Sequence, residues 1–236
     1  MIEAKKISRS INSKVLFHEI SFSLPNKKIT GLLGANGAGK TSLFKALAGL
    51  TKIDSGQLSF FNENLNDMTL EERSSSGLNF VPQENSLFDE LTLRENLEAV
   101  LELKFKKIST EKIDQIDSLL KKVNLFEKQD IKAKFLSGGE KRKTEILRSI
   151  ILDSKFILLD EPFAGVDPIS VEEIIKILKV FKKDIGIFIS DHNFRDVMNV
   201  CDEVILLNQG EVLLKGTPQE VKNDPIAKKL YFGELN

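Results

Sequence analysis

Gly34-Ala35-Asn36-Gly37-Ala38-Gly39-Lys40-Thr41 fits the pattern G-x-x-x-x-G-K-[ST] in full. The run before it, Ile29-Thr30-Gly31-Leu32-Leu33, is short and apolar, as a buried strand is. The run after it carries Leu43, Phe44, Leu47 and Leu50 at helical spacing, predicting a helix from about Lys40 to Leu50. Glycines let such a loop curl until successive N–H groups point inward at phosphate oxygens. The helix that follows adds the positive end of its dipole. Lys40 brings a full positive charge to the terminal phosphates, and the Thr41 hydroxyl is suited to Mg²⁺. A strand, this loop and a helix in sequence predict an α/β phosphate-binding fold.

The rest of the chain agrees with that fold. Within residues 2–34, Leu16, His18, Ile20, Phe22 and Leu24 alternate with Phe17, Glu19, Ser21 and Ser23, predicting strand with the first set on one face. Pro25-Asn26 marks a turn, and Gln57–Phe61 and Gly77–Gln83 read as further strand. From there to about residue 153 no strand is evident. Three helical stretches are predicted near 92–105, 109–124 and 138–153, and the lysines on the first two read as solvated faces. Strand and helix then alternate again. Phe156–Asp160 is a strand, and a helix starts at Pro168 behind Asp167 as N-cap, with Val171, Ile174, Ile175, Leu178 and Phe181 as its apolar stripe. Ile185–Ser190, Glu203–Leu207 and Val212–Leu214 are strands, with a turn at Gln209-Gly210 and a short helix opened by Pro218. This order predicts a mainly parallel sheet covered by helices.

Composition narrows the function classes. The 34 basic and 35 acidic residues nearly cancel, so nothing points to nucleic acid as the main partner. The longest apolar runs are strand-length, well short of the roughly 18 residues a membrane span requires, and Met1–Lys6 lacks a signal peptide's apolar stretch. A cytoplasmic chain is expected, its membrane association supplied by partners. The single cysteine, Cys201, in the run Val197-Met198-Asn199-Val200, is expected to be buried rather than reactive.

Two further motifs carry chemistry. Phe156-Ile157-Leu158-Leu159-Asp160-Glu161 is a buried strand ending in adjacent carboxylates. Asp160 is suited to the Mg²⁺ shell and Glu161 to the general base that polarises an attacking water. Leu136-Ser137-Gly138-Gly139-Glu140 reads locally as a helix start capped by serine, with exposed N–H groups that would also suit an anion. In company with the phosphate loop and the acidic strand, it resembles the signature of the ABC ATPases. No Asn-Lys-x-Asp motif for guanine is present.

The resemblance spans nearly the whole chain. It implies one ABC ATPase domain over 1–236: a P-loop (RecA-like) core with an N-terminal antiparallel β subdomain from 1–83 and 154–236, and an inserted α-helical subdomain over 84–153. It implies ATP bound by Gly34, Ala35, Asn36, Gly37, Ala38, Gly39, Lys40, Thr41 and Ser42, with Mg²⁺ held through Thr41, Gln83 and Asp160. Gln83 matches the Q-loop residue that senses the transport partner, Gly165-Val166-Asp167 the D-loop at the dimer interface, and His192 the switch histidine at the γ-phosphate. Leu136, Ser137, Gly138, Gly139 and Glu140 would face the ATP of an opposite subunit, so a homodimer would enclose two ATP and drive two integral-membrane subunits. Glu161-Pro162-Phe163-Ala164-Gly165-Val166-Asp167-Pro168-Ile169-Ser170-Val171, the Asp191-His192-Asn193 triplet, Glu145-Ile146-Leu147-Arg148 and the ending Tyr231-Phe232-Gly233-Glu234 are similar to the ATPases of lipopolysaccharide exporters, which implies Lpt permeases as partners and the cytoplasmic face of the inner membrane as location. Branched-chain amino-acid importer ATPases share several of these features but less of Phe163–Ser170, and soluble ABC ATPases usually carry two modules or long insertions. Ala35 and Ser42 are mild departures from the pattern. Ile11 is a larger one, because it stands where many ABC ATPases place an aromatic against adenine. Weaker nucleotide affinity or looser base selectivity is expected unless nearby Phe17 takes that place.

Overall fold

The computed structural model describes residues 1–105 and 108–229. The ending Tyr231-Phe232-Gly233-Glu234 lies outside the described residues. Strands β1 (Ile2–Ile11) and β2 (Lys14–Leu24) form a hairpin and lead to β3 (Ile29–Leu33), the phosphate loop and helix α1 (Lys40–Ala48). Next come β4 (Ser55–Phe60), β5 (Glu63–Asn64), α2 (Leu70–Ser76) and β6 (Leu78–Val81). Helices α3 (Leu93–Phe105), α4 (Thr110–Lys122) and α5 (Gly138–Ile151) follow without an intervening named strand. The chain continues through β7 (Phe156–Asp160), α6 (Pro168–Phe181), β8 (Gly186–Ser190), α7 (Phe194–Val200), β9 (Glu203–Asn208), β10 (Glu211–Gly216), α8 (Pro218–Asn223) and α9 (Pro225–Ala227).

These strands make two sheets. A four-stranded antiparallel sheet has the order β2-β1-β4-β5, and a six-stranded sheet has the order β10-β9-β3-β8-β7-β6. In the second sheet β9, β3, β8, β7 and β6 run parallel, and only β10 is antiparallel. The period-two alternation of a strand sorts its side chains between two cores. Ile157, Leu159, Ile187 and Ile189 face α3–α7, whereas Phe156, Leu158 and Phe188 face α1 and the antiparallel sheet. Phe188 stacks on Phe44 of α1, with centroids 4.7 Å apart and planes at 11°. Phe22 of β2 lies 6.2 Å from Phe188 on that same side. These offset-stacked rings tie the helix behind the phosphate loop to both sheets.

Three sequence expectations need correction or completion. The alternation along β2 does not hold one phase: Phe17 is buried together with Ile20, Phe22 and Leu24, while His18 is exposed. The strand slips by one residue near Glu19, whose φ is +43°, so Arg9 pairs with Phe17 while Ile7 pairs with Ile20. Such a bulge reverses the facing of every later side chain. Helix α2 escaped notice because its sequence is almost wholly polar. Its start is a capping box between Thr69 and Glu72. Its buried residue, Arg73, donates to Ala46 O and Leu47 O at 2.7 Å, carbonyls of the last turn of α1. Burial lowers the Arg73 pKa to about 10. Helix α7 also lacked a sequence prediction. Cys201, at its C-terminal end, is buried as expected, and burial pushes its thiol up.

Among the described residues, no helix is long and apolar enough to cross a membrane.

Candidate nucleotide site

The phosphate loop bridges the buried end of β3 and α1. Gly37 and Gly39 have φ of +82° and +104°, a region that L side chains rarely adopt. Gly39 is also the N-cap of α1 and offers no side chain there, so backbone N–H groups at the helix start stay open toward the loop. A Cβ on Gly39 would stand 2.5 Å from the carbonyl oxygen of Leu16 on β2. The Lys40 side chain folds back over the loop and donates to Gly34 O at 2.7 Å and Ala35 O at 3.2 Å. Lys40 is only 7% exposed. Burial lowers its pKa, an effect opposed by the nearby charges of Glu161, Asp160 and Asp191. A cavity of about 290 Å³ opens here, lined by Asn36, Gly37, Gly39, Lys40, Thr41, Ser42 and Glu161, with Lys14, Val15 and Leu16 as its far wall.

The ends of β7 and β8 supply the acidic side. The strand alternation puts Asp160 and Ser190 side by side on the face toward α1, and the Ser190 hydroxyl donates to the Asp160 carboxylate. Burial raises the Asp160 pKa, against the pull of that hydroxyl, Arg142 and Lys40. Glu161 has a φ of +46°, a left-handed conformation that costs a non-glycine residue energy. Its N–H donates to Ser190 O at 2.8 Å, which turns the chain out of the sheet. The Glu161 carboxylate accepts from Gln83 Nε2 at 2.9 Å and lies 3.4 Å from His192 Nδ1. Gln83 and His192, predicted from separate parts of the sequence, therefore converge on the Glu161 carboxylate.

Sequence reading missed two buried groups around this cluster. Asp191, fully buried, accepts the N–H groups of Phe163 and Asn193. Arg142 and Glu145, a buried pair 3.0 Å apart on α5, grip the neighbouring loops. Arg142 donates to Pro82 O and Asp160 O at 2.7 Å, while Glu145 accepts from Ser86 N at 2.6 Å. A charged pair three residues apart on a hydrophilic helix reads as surface, and only the fold shows it buried.

The five signature residues take the local form expected of a helix start. Ser137 caps α5: its Oγ accepts from Glu140 N at 3.3 Å, and Glu140 Oε2 accepts from Ser137 N at 2.9 Å. Leu136 is buried behind the cap and Gly138 is exposed. Gly139 lies against the start of α6, where an added Cβ would stand 2.2 Å from Ser170 Oγ. Asp167 caps α6 by accepting from Ser170 N at 3.0 Å, and the Ser170 hydroxyl together with that N–H lowers its pKa. The two helix starts therefore sit together. Leu136–Glu140 are absent from the lining of the phosphate-loop cavity.

At the far end of the cavity, Phe17 is 0% exposed and closed off within the core, so it cannot take the place of a missing aromatic. Ile11 is 46% exposed at the hairpin end of β1, paired in register with Lys14. Lys14, Val15 and Leu16, rather than Ile11, line the cavity.

The donors near the carboxylates suit a hard divalent cation: the hydroxyl of Thr41, the carboxylate of Asp160 and the amide of Gln83 are all oxygen ligands. Among the described residues no cluster of three or more His, Cys, Asp or Glu forms a cage.

Strand, phosphate loop and helix, with carboxylates on the adjoining strand ends, define a phosphate-loop nucleotide hydrolase. The sequence matches the profile of the ABC transporter family over residues 17–164. It is 38% identical over 235 residues to the lipopolysaccharide export system ATP-binding protein LptB of Haemophilus influenzae, a match covering 99% of this chain and 98% of that protein. LptB of Escherichia coli K12 is 35% identical over 234 residues, covering 99% and 97%. A solved ATP-binding cassette of an ABC transporter, in its ADP conformation, superposes with a TM-score of 0.89 at 26% identity, covering 99% of each chain. The chain belongs to the ABC transporter ATP-binding family. It binds and hydrolyses ATP as the ATPase subunit of a transporter.

Proposed function

We propose that this chain powers lipopolysaccharide export. Two copies would enclose two ATP and act on two integral-membrane permeases from the cytoplasmic face of the inner membrane. The observation that carries the cargo is the match to LptB along almost the full length of both chains. One ATPase domain is assigned to 1–236, with the core and β subdomain in 1–83 and 154–236 and the helical part in 84–153.

In this reading the phosphate loop, Gly34–Thr41 with Ser42, holds the phosphates through backbone N–H groups and the Lys40 charge. Thr41, Asp160 and Gln83 would hold Mg²⁺, which would supply charge neutralisation to the phosphates. Glu161, fixed by Gln83, takes the proton of the attacking water as general base. His192 contacts the γ-phosphate beside it. Leu136, Ser137, Gly138, Gly139 and Glu140 serve the partner copy's ATP, consistent with their absence from the cavity of their own chain. Asp167 meets the partner across the interface. ATP closes the pair by binding the closed state better than the open one, and hydrolysis and release open it.

A mild-detergent pull-down of the tagged chain, with identification of the co-purified membrane proteins, tests the cargo. Export permeases bearing large periplasmic domains are expected. Amino-acid permeases in their place would sink the lipopolysaccharide assignment.

The base end gives a second test. The Ile11 side chain offers adenine no π face, and base–aromatic stacking is worth about 1–3 kcal/mol in nucleic-acid binders. Ile11→Tyr should lower the Kd for ATP by about tenfold, read by titration calorimetry. An unchanged Kd would give the base contact to Val15 on the cavity wall.

A further inference from the structure

Asp191 sits between two loops that carry the reacting groups. Glu161 and Phe163 follow β7, and His192 and Asn193 follow β8, the neighbouring parallel strand. Below the loops the strands are in register, Asp160 opposite Ser190. Above them Glu161 N donates to Ser190 O at 2.8 Å, a main-chain tie between the two segments. Beyond that point the Asp191 carboxylate takes over. Its Oδ2 accepts from Phe163 N at 3.1 Å and its Oδ1 accepts from Asn193 N at 2.8 Å.

The setting is costly for a mere filler. Asp191 is 0% exposed, and among the described residues no lysine or arginine forms an ion pair with it. A carboxyl group so buried is costly unless hydrogen bonds satisfy it, and here the two backbone N–H groups do so. The His192 ring does not supply one, because Nδ1 lies 3.7 Å from Asp191 Oδ1, beyond hydrogen-bond length. Asp191 therefore reaches His192 through the backbone of Asn193, not through the imidazole. Its other bond fixes the chain two residues past Glu161, where the segment toward Asp167 begins.

We propose that Asp191 is a positioning residue that locks the loop of His192 to the loop of Glu161. The carboxylate keeps His192 Nδ1 and Glu161 Oε2 at their 3.4 Å spacing, so the two groups meet the γ-phosphate as one unit. Any shift of His192 is passed through the same carboxylate to Phe163 and on toward Asp167. This rests on the roles given above to Glu161 and His192.

The test is a double-mutant cycle on the full chain, reading ATP turnover and KM. Asp191→Asn keeps the shape but turns an amide N–H₂ toward one of the two donors. It should lower kcat about 10- to 100-fold, with KM for ATP within about twofold. On a His192→Ala background the same change should cost less than about threefold, because residues acting as a unit are not additive. A full, independent loss on that background, or unchanged kcat in the single variant, overturns the proposal. If His192→Ala or Glu161→Gln alone is silent, the site assignment itself fails, which is a separate outcome. A second measurement needs no variant. In the wild-type chain, amide hydrogen exchange in segments 161–166 and 190–194 should slow together when a non-hydrolysable ATP analogue binds. Segments that open independently would overturn the lock even if Asp191→Asn does not fold.

Discussion

Glu161→Gln should bind ATP at least as tightly as the wild type and turn it over at least about a hundredfold more slowly, within the range that general-base catalysis supplies. The substitution is nearly isosteric, so the left-handed backbone at this position and its tie to Ser190 O are kept. Gln83 can still donate to the new amide oxygen. What is lost is the capacity to accept a proton from water. A negative charge facing the phosphates is lost with it, which favours the ATP-bound state. The trapped state should be a closed dimer, visible as an ATP-dependent shift in size-exclusion chromatography, while phosphate release falls to near background. Turnover at the wild-type rate would remove Glu161 from the base role.

Gly39→Ala should abolish measurable ATP binding while the chain still folds. Two independent penalties meet at this position. The backbone φ of +104° is one that an L side chain rarely adopts, at a cost of about 1–3 kcal/mol. The new Cβ would also stand 2.5 Å from the Leu16 carbonyl oxygen, part of a strand that cannot swing aside as a flexible side-chain tip can. Relief requires the loop to move away from β2, and that movement misaligns the N–H groups that would hold the phosphates. For a chain of this size each kcal/mol lowers Tm by about 2–4 °C, so a drop of several degrees by calorimetry should accompany the lost binding. Gly37→Asn is the control. Gly37 also has a positive φ, but an added Cβ there would meet nothing within 4 Å, and asparagine tolerates that backbone. Gly37→Asn should retain ATP binding within a few-fold. Equal damage at both positions would show that backbone conformation, not the contact with Leu16, governs the loop.

The parts of the site legible in the sequence are those built from contiguous residues. The phosphate loop, the acidic end of β7 and the capped start of α5 are each one short segment whose local form is written in adjacent residues, although at Ser137–Glu140 that local form is only a capped helix start. The parallel sheet was legible for a related reason: buried strands such as Ile157–Leu159 and Ile187–Ile189 are apolar on both faces. What escaped depends on contacts across the chain. The bulge at Glu19 reverses the facing within β2, and no local pattern warns of a one-residue slip. Helix α2 buries one arginine against the carbonyls of α1 instead of an apolar stripe, so hydrophobic periodicity passes over it. Asp191 is a polar residue next to a candidate histidine, and only the adjacency of β7 and β8 shows that it holds two loops. The base end went partly unread because proximity in sequence suggested Phe17, which the bulge turns into the core.

The cap at Ser137 has a consequence for how one hydroxyl can be shared. A serine oxygen has lone pairs to accept with and one hydrogen to give. Glu140 N–H occupies a lone pair from the inside of the helix. The hydrogen is not needed for capping, so the same atom can point its proton outward at a phosphate oxygen without loosening the helix that presents it. Ser137→Asp would separate the two duties. It preserves an N-cap acceptor, so the melting temperature should hold, yet it offers a negative charge where a proton donor stood. In the proposed sandwich, architecture and ligand recognition at this turn would be divided between the two ends of a single O–H bond.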